Sequence, residues 1–144
     1  TLNLSSGSTK TLNGTLTLNG TTNHTSGILS LSSGDVVNNS GTYNITGGNI
    51  FLGGTAAQFN NTGTFDVNMD GTPITNSGTF DNDGTFTRSG GTGTLTISCK
   101  FTNDGTFNHN TGSKLGFNST FTQNGTLNLN GSEELETGTC TINS

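Results

Sequence analysis

The stretch Phe80-Asp81-Asn82-Asp83-Gly84-Thr85-Phe86 is one copy of a seven-residue phrase that recurs along the chain. The phrase consists of an apolar residue, any residue, Asn, any residue, Gly, Thr and a second apolar residue. The other copies, of which the first is eroded, begin at Leu16, Val37, Phe59, Phe101 and Phe121. Successive copies start 21, 22, 21, 21 and 20 residues apart. A period this regular is typical of a solenoid, in which each repeat stacks on its neighbours.

The composition agrees with a solenoid better than with a globular core or a disordered chain. Only 26% of the 144 residues are hydrophobic, which is low for a globular core. Only 9% are charged, whereas disordered chains combine low hydrophobicity with high net charge. A solenoid coil needs few inward apolar side chains, because equivalent positions stack from coil to coil. We therefore predict one all-β domain over residues 1–144, a three-sided parallel β-helix of about seven coils.

The repeat assigns equivalent residues to columns that run along the solenoid. Short alternating runs between Asn-Gly, Ser-Gly and Gly-Gly signals predict three strands per coil, with coils ~4.8 Å apart. The first core column is expected to contain Val37, Phe59, Phe80, Phe101, Phe121 and Ile142. The second is expected to contain Tyr43, Phe65, Phe86, Phe107 and Leu127. A third, looser column is expected to contain Leu31, Leu52, Ile74, Leu95, Leu115 and Leu135.

A column of amide side chains and a column of glycines accompany the apolar columns. The amide column consists of Asn39, Asn61, Asn82, Asn103 and Gln123. We expect these amides to pair from coil to coil, because a buried polar group without a partner costs ~1–3 kcal/mol. The glycine column consists of Gly20, Gly41, Gly63, Gly84, Gly105 and Gly125. We expect it to mark a corner at which the backbone needs positive φ.

The charge pattern argues against several classes of partner. The net charge is −5 with only four Lys and Arg, whereas nucleic acids and anionic membranes require a basic face. No apolar run approaches the ~20 residues that cross a bilayer, so no membrane insertion is expected. Asp83 and Asp104 share a column, but Thr62 and Asn124 flank them, so the column does not favour a metal ion.

The sequence contains no arrangement that predicts catalysis. His24 and His109 share a column but lie four coils apart, and no nucleophile recurs at a fixed offset from them. The glycine-rich stretch 90–97 is similar to a calcium-binding nonapeptide, but Leu95 stands where the ligating Asp would be. Glu133, Glu134 and Glu136 are expected to form a solvated loop. We therefore predict no enzymatic activity and no cofactor.

The two cysteines are predicted to be free thiols. Cys99 and Cys140 are 41 residues apart, which places them two coils apart in one column. Two coil rises amount to ~9.6 Å, beyond the ~7 Å limit on the Cα separation of a disulfide. A disulfide between one of these cysteines and a cysteine of another subunit remains an alternative.

The ends of the solenoid carry the functional prediction. A solenoid exposes an unpaired strand edge at each end, and the sequence shows no capping helix and no cluster of edge lysines, so uncapped ends are expected. The residues expected to form the assembly ends are Thr1, Leu2, Leu4, Ile142, Asn143 and Ser144. A contact between unlike ends does not close on itself and therefore propagates. We predict a structural protein whose partner is itself, added head to tail into a filament, sheath or matrix fibre.

A resemblance supports an external location. The phrases Asn60-Asn61-Thr62-Gly63-Thr64-Phe65 and Asn82-Asp83-Gly84-Thr85-Phe86 resemble the repeats of large microbial β-solenoid surface proteins, including filamentous-haemagglutinin-like adhesins. The resemblance implies a right-handed β-helix that is extracellular or on the cell surface. Glycans are then conceivable partners at Asn-X-Ser/Thr sequons. The candidate glycosylation sites are Asn23, Asn38, Asn44, Asn60 and Asn118.

Two other functions are left open. In the first, the chain is an adhesin stalk or passenger segment, with recognition in loops such as 47–54 or 68–73. In the second, the chain binds ice through an outward threonine column. That column consists of Thr21, Thr42, Thr64, Thr85, Thr106 and Thr126. The neighbouring outward column contains mixed and partly charged residues, whereas ice-binding faces usually present two adjacent columns of threonine.

Overall fold

The computed structural model describes residues 1–112, 114–130 and 134–143, and within them it contains β-strands and no helix. One sheet of seven strands runs the length of the molecule. Its strands are β1 (Leu2–Leu4), β4 (Thr21–His24), β7 (Thr42–Ile45), β10 (Thr64–Asn68), β12 (Thr85–Gly90), β14 (Thr106–His109) and β16 (Thr126–Leu129). All six steps between them are parallel, so the chain winds about six turns.

Two further ladders of parallel strands complete the early coils. The first is formed by β2 (Thr9–Thr11), β5 (Ile28–Leu31) and β8 (Asn49–Leu52). The second is formed by β3 (Thr15–Leu18), β6 (Val36–Asn39) and β9 (Gln58–Asn61). The two ladders merge in the long strands β11 (Gly71–Asn82), β13 (Thr94–Asn103), β15 (Lys114–Gln123) and β17 (Glu134–Ile142). The predicted parallel β-solenoid is confirmed; its right-handed winding and three-sided section stay predictions.

The two phenylalanine columns form the centre of the core, as predicted. Val37 to Phe121 and Tyr43 to Phe107 are at most 1% exposed, and the strand register stacks each column coil on coil. Within a column the rings from Tyr43 to Phe107 stack at centroid distances of 4.5–5.2 Å. Between columns they meet edge to face at 5.0–5.7 Å. Both geometries add attraction to the burial of apolar area.

The first column does not end at Ile142, so that prediction is wrong. The register shifts between Phe117 and Thr120, and Cys140 pairs with Phe121 while Ile142 pairs with Gln123. The last coil is two residues shorter than the phrase spacing assumes. Ile142 therefore ends the amide column instead of the first core column.

The third column was also assigned wrongly in its middle. Ile74 pairs with Ile50 instead of Leu52, and with Ile97 instead of Leu95, which pairs with Gly71. Strand β11 is longer than β13 between Gly71 and Ile74 and again between Thr75 and Thr79, and spacing along the sequence does not show this. The continuous column consists of Lys10, Leu29, Ile50, Ile74, Ile97 and Phe117. The pairs Leu31 with Leu52 and Leu95 with Leu115 and Leu135 are confirmed.

The glycine column has a different physical cause from the one expected. None of its six members has positive φ. A Cβ atom on Gly41, Gly63, Gly84, Gly105 or Gly125 would instead lie closer than 3.0 Å to the carbonyl oxygen of the column's preceding glycine. The backbones pass this closely because the following threonine donates to that same carbonyl, as Thr85 N does to Gly63 O at 2.8 Å. Glycine is needed for stacking, not for a left-handed turn.

No helix in the described part of the chain is long and apolar enough to cross a bilayer.

Candidate functional site: the open ends and the columns that lead to them

The amide column forms a continuous ladder, as predicted. Each Nδ2 donates to the side-chain oxygen of the next coil, over 2.6–3.0 Å, from Asn39 through to Gln123. The same Nδ2 atoms also donate to threonine carbonyls of that coil at 2.9–3.3 Å. All five side chains are at most 4% exposed. The ladder thus holds each corner to the next and gives every bond the same direction.

The ladder stops one coil short of each end of the molecule. Asn39 Oδ1 and Gln123 Nε2 are buried without a hydrogen-bond partner in the described residues. The column continues past Asn39 to Leu18 and past Gln123 to Ile142, which offer no polar side-chain atom. The outermost members of this column are therefore apolar at both ends.

The N-terminal end presents open edges on β1, β2 and β3. Leu4 and Leu18 are 7% and 6% exposed, and Leu2, Leu12 and Leu16 are partly buried against the core. An open depression of roughly 200 Å³ lies beside Leu2 and Leu18 and extends to the corner at Gly20. Thr1 is exposed at its rim. Lys10 takes an inward column position on β2, and its Nζ donates to Ser8 O at 2.9 Å and to Ser6 O.

The C-terminal end presents open edges on β16 and β17. Ile142 is 65% exposed and Leu129 is 40% exposed, although both occupy columns that are buried in the interior. Asn143 is exposed and its Nδ2 donates to Asn124 Oδ1 at 2.5 Å. Glu134 and Glu136 lie on β17 and not in the predicted loop, since they pair with Lys114 and Gly116. Their side chains, and residues Glu133 and Ser144, lie outside the described part of the chain.

The cysteines are free, as predicted, but they do not share a column. Cys99 is buried and Cys140 is exposed, and neither is in a disulfide. Cys140 lies in the column of Phe121 and Phe101, because of the shortened last coil, whereas Cys99 lies two residues before Phe101. Burial raises the pKa of Cys99 to about 12, which keeps it in the thiol form.

Arg88 forms a buried cluster that sequence reasoning did not find. It takes an inward position between Val67 and His109 and is fully buried. Among the described residues, its N–H groups donate to Gly90 O (3.1 Å), His109 Nε2 (3.0 Å), Lys114 O (3.3 Å), Asp70 Oδ1 (2.5 Å) and Gly93 O (2.9 Å). Arg88 therefore ties together the turns of three coils. The usable signal was a single Arg in a column that otherwise holds apolar residues, such as Ile45 and Val67, and the two histidines.

His24 and His109 share a column, as predicted, but have different surroundings. His24 Nε2 donates to Gly27 O at 3.2 Å, so its Nδ1 accepts from the buried Tyr43 hydroxyl at 3.0 Å. Burial lowers the pKa of His24, and Lys10 acts in the same direction. Burial also raises the pKa of Tyr43. The contacts of His24 anchor the turn that contains Gly27.

The acidic column remains a surface feature in this structure. Asp104 Oδ1 accepts from Asn124 Nδ2 at 2.6 Å. Burial raises the pKa of the neighbouring Asp81, and the charges of Asp83 and Asp104 add to that effect. Within the described residues, no three or more His, Cys, Asp and Glu side chains converge as metal ligands would.

The outward faces carry further amide pairs, which include most of the sequon asparagines. Asn44 donates to Asn23 and Asn60 donates to Asn38, at 3.1 and 2.9 Å. Asn118 is exposed and donates to Ser98 Oγ at 3.0 Å. The threonine column is in register on its sheet. Glycosylation and ice binding stay predictions.

Comparisons with models of protein families, with curated proteins and with solved structures find no match to this chain.

Proposed function

We propose that the protein is an extracellular structural module that polymerises head to tail through the open ends of its solenoid. The observation that carries this proposal is the match between the two ends. Both end in parallel strand edges, and four inward columns have apolar residues at both ends: Leu2, Leu4, Leu16 and Leu18 at one, and Leu127, Leu129, Cys140 and Ile142 at the other. The column through Leu29 and Ile50 instead begins at Lys10.

The exposed apolar residues give this contact a driving force. Ile142 and Leu129 are exposed only because no further coil covers them. Covering one such side chain contributes up to ~1.5–3 kcal/mol. Strand addition also satisfies the backbone groups along the open edges, which is how many proteins bind an added strand.

The extracellular location is supported by two features. One is the resemblance of the repeats to filamentous-haemagglutinin-like surface proteins, and the other is the polar, sparsely charged composition of the chain. Long polar columns of Asn, Thr and Ser cover the outer faces, and few charges interrupt them. Such a surface suits a fibre, sheath or matrix outside the cell. Candidate glycosylation at outward sequons belongs to the same proposal.

A second candidate function is a stalk segment of a cell-surface adhesin. The same match of columns favours it, because further coils of one polypeptide would cover the ends as well as another copy does. The two functions differ in solution: a stalk segment stays a monomer at every concentration, whereas a self-assembling module forms particles whose length grows with concentration.

Substitution of Ile142 by Lys tests the proposal at the C-terminal end. Because Ile142 is 65% exposed, I142K leaves the fold of the single molecule intact. We expect filaments of the wild-type protein in negative-stain electron microscopy and none of I142K. The control is T141K, on the same strand but directed to the opposite face. The proposal is wrong if the wild-type protein stays monomeric, or if I142K assembles as well as T141K.

A further inference from the structure

Four inward columns begin in the first coil and end at equivalent positions of the last coil. The arrangement inferred from these positions rests on the proposed head-to-tail assembly and adds to it the register of the two ends. The columns of the first sheet run from Leu2 and Leu4 to Leu127 and Leu129. The strands that contain the first three residues of each phrase are β3, β6, β9, β11, β13, β15 and β17. Their inward columns run from Leu16 and Leu18 to Cys140 and Ile142. If one copy continues the columns of another, Cys140 lies against Leu16 and Ile142 lies against Leu18.

The shortened last coil makes the repeat continue across such a junction. With Cys140 in the first core column, Cys140-Thr141-Ile142-Asn143-Ser144 reads as the first five positions of the phrase. Thr1-Leu2 supplies its last two positions. Ile stands in the Asn position and Ser in the Gly position.

The corner at Gly20 has room for an approaching coil that residues 1–144 do not fill. Each later glycine of the column lies against the carbonyl of the glycine before it, whereas a Cβ on Gly20 would meet nothing within 4 Å. The depression beside Leu18 and Gly20 lies where a preceding corner would fit. In the continued register, Ile142 and Asn143 of another copy are the residues that arrive there.

Charge selects unlike ends. The first coil, residues 1–20, carries only Lys10, which stands in an inward column of its edge strand β2. The last coil, residues 124–144, carries Glu133, Glu134 and Glu136 and no Lys or Arg. Strand β17 ends the sheet path that begins at β2. Two first coils or two last coils would bring like charges together, whereas a first and a last coil bring opposite charges together.

We infer that copies join with one polarity and in one register, in which Cys140 of one copy stacks on Leu16 of the next. Residues in register on adjacent parallel strands are ~4.8 Å apart, which a disulfide spans. Within one molecule, positions 16 and 140 are six coil steps or ~29 Å apart, so a bridge between them joins two copies.

The test is oxidative cross-linking of two cysteine variants. In L16C the new thiol lies in register with Cys140 of the neighbouring copy. In L18C it lies ~8 Å away, outside disulfide range. We expect a ladder of disulfide-linked oligomers from L16C on a non-reducing gel, about tenfold stronger than from L18C. The ladder disappears in L16C/C140S, which retains Cys99. As a readout without a new residue, alkylation of Cys140 in the wild-type protein slows on assembly.

The outcomes separate the register from the proposed function. If the wild-type protein assembles but L18C cross-links better than L16C, the register is wrong and assembly stands. The same conclusion follows if Cys140 bridges to another Cys140, or if Cys140 remains reactive in the assemblies. If the wild-type protein does not assemble at any concentration, the register and the proposed function fail together. If L16C does not assemble, the register is tested by the rate at which Cys140 of the wild-type protein is alkylated before and after assembly.

Discussion

At the scale of single residues, the stacked columns make equivalent positions chemically unequal. Asn82 lies in the middle of the amide ladder and pairs on both sides, whereas Asn39 already has an unpaired Oδ1. Gly84 lies against the carbonyl of Gly63, whereas Gly20 has open space at the same place in the phrase. The position of a residue along the solenoid therefore decides the effect of a substitution as much as its type does.

Interrupting the amide ladder destabilises the protein most in its middle. N82L leaves Asn103 Oδ1 without its donor and Asn61 Nδ2 without its side-chain acceptor. We expect the free energy of unfolding, from denaturant titration, to fall by about 1–3 kcal/mol more than in N39L. N39L removes one unpaired atom as it creates another, so equal losses in the two variants would contradict the ladder.

The glycine column is tested by a matched pair. In G84A the new Cβ meets the Gly63 carbonyl, and the coils must separate locally. We expect a loss on the order of 1–3 kcal/mol in the free energy of unfolding, as for overpacked sites. G20A should change it by less than about 0.5 kcal/mol in the isolated molecule. Similar losses would show that backbone flexibility, not contact between coils, explains these glycines.

His24 makes the protein less stable in mild acid. Burial holds the pKa of His24 below its usual 6.5. As the pH falls from ~6.5 towards that lowered pKa, the unfolded state binds more protons, so the free energy of unfolding decreases. H24I, which copies Ile45 of the same column, removes this titration. Between about pH 7.5 and pH 5 the wild-type protein should lose more stability than H24I.

The quantity to compare is the change in the free energy of unfolding with pH, not its value at one pH, because H24I also removes the partner of the Tyr43 hydroxyl. Parallel pH profiles of the two proteins would contradict the assignment of His24 as the group that titrates.

At the scale of elements, the phrase fixes the register of the strands that contain it and leaves the intervening segments free. The columns through Phe80 and Phe86 were predictable because Asn, Gly and Thr recur between them at constant spacing. The third column and the last coil were not, because their strands are offset by segments of variable length around Pro73 and after Phe117. Counting residues from the phrase cannot show where a coil absorbs an extra residue.

The Arg88 cluster belongs to the same scale and was not predictable from spacing. Its partners come from three turns, and Asp70 is 18 residues away, outside the repeat period. Only the turn geometry of β10, β11 and β12 brings this carboxylate to the guanidinium. An Arg in a buried column that otherwise holds apolar residues and two histidines indicates that such a partner exists but does not identify it.

Removing the acidic partner of Arg88 should weaken the turns of these coils. D70A leaves a fully buried guanidinium without its carboxylate. The loss should be about 1–3 kcal/mol, below the ~3–5 kcal/mol of a fully buried pair, because the Asp70 side chain is 47% exposed. D66A, which removes an exposed hydrogen bond to Ser89, is the control. Equal unfolding free energies of D70A and D66A would show that the pair contributes nothing.

At the scale of the whole molecule, the charges of the end coils should control assembly. K10E gives both ends the same sign, whereas K100E makes the same change on an exposed residue of an interior coil. We expect K10E to raise the concentration needed for half-assembly about tenfold, measured by sedimentation, and K100E to leave it near the wild-type value. Added salt should weaken wild-type assembly and reduce this difference.

Copies that continue one another's coils fix the axial repeat of the assembled fibre, which cryo-electron microscopy measures. Seven strand layers per copy at ~4.8 Å predict an unbroken ~4.8 Å layer spacing and a subunit repeat of ~34 Å. A repeat of twice that length, or a gap in the layer spacing at each junction, would contradict continuous head-to-tail stacking, as would a protein that remains monomeric.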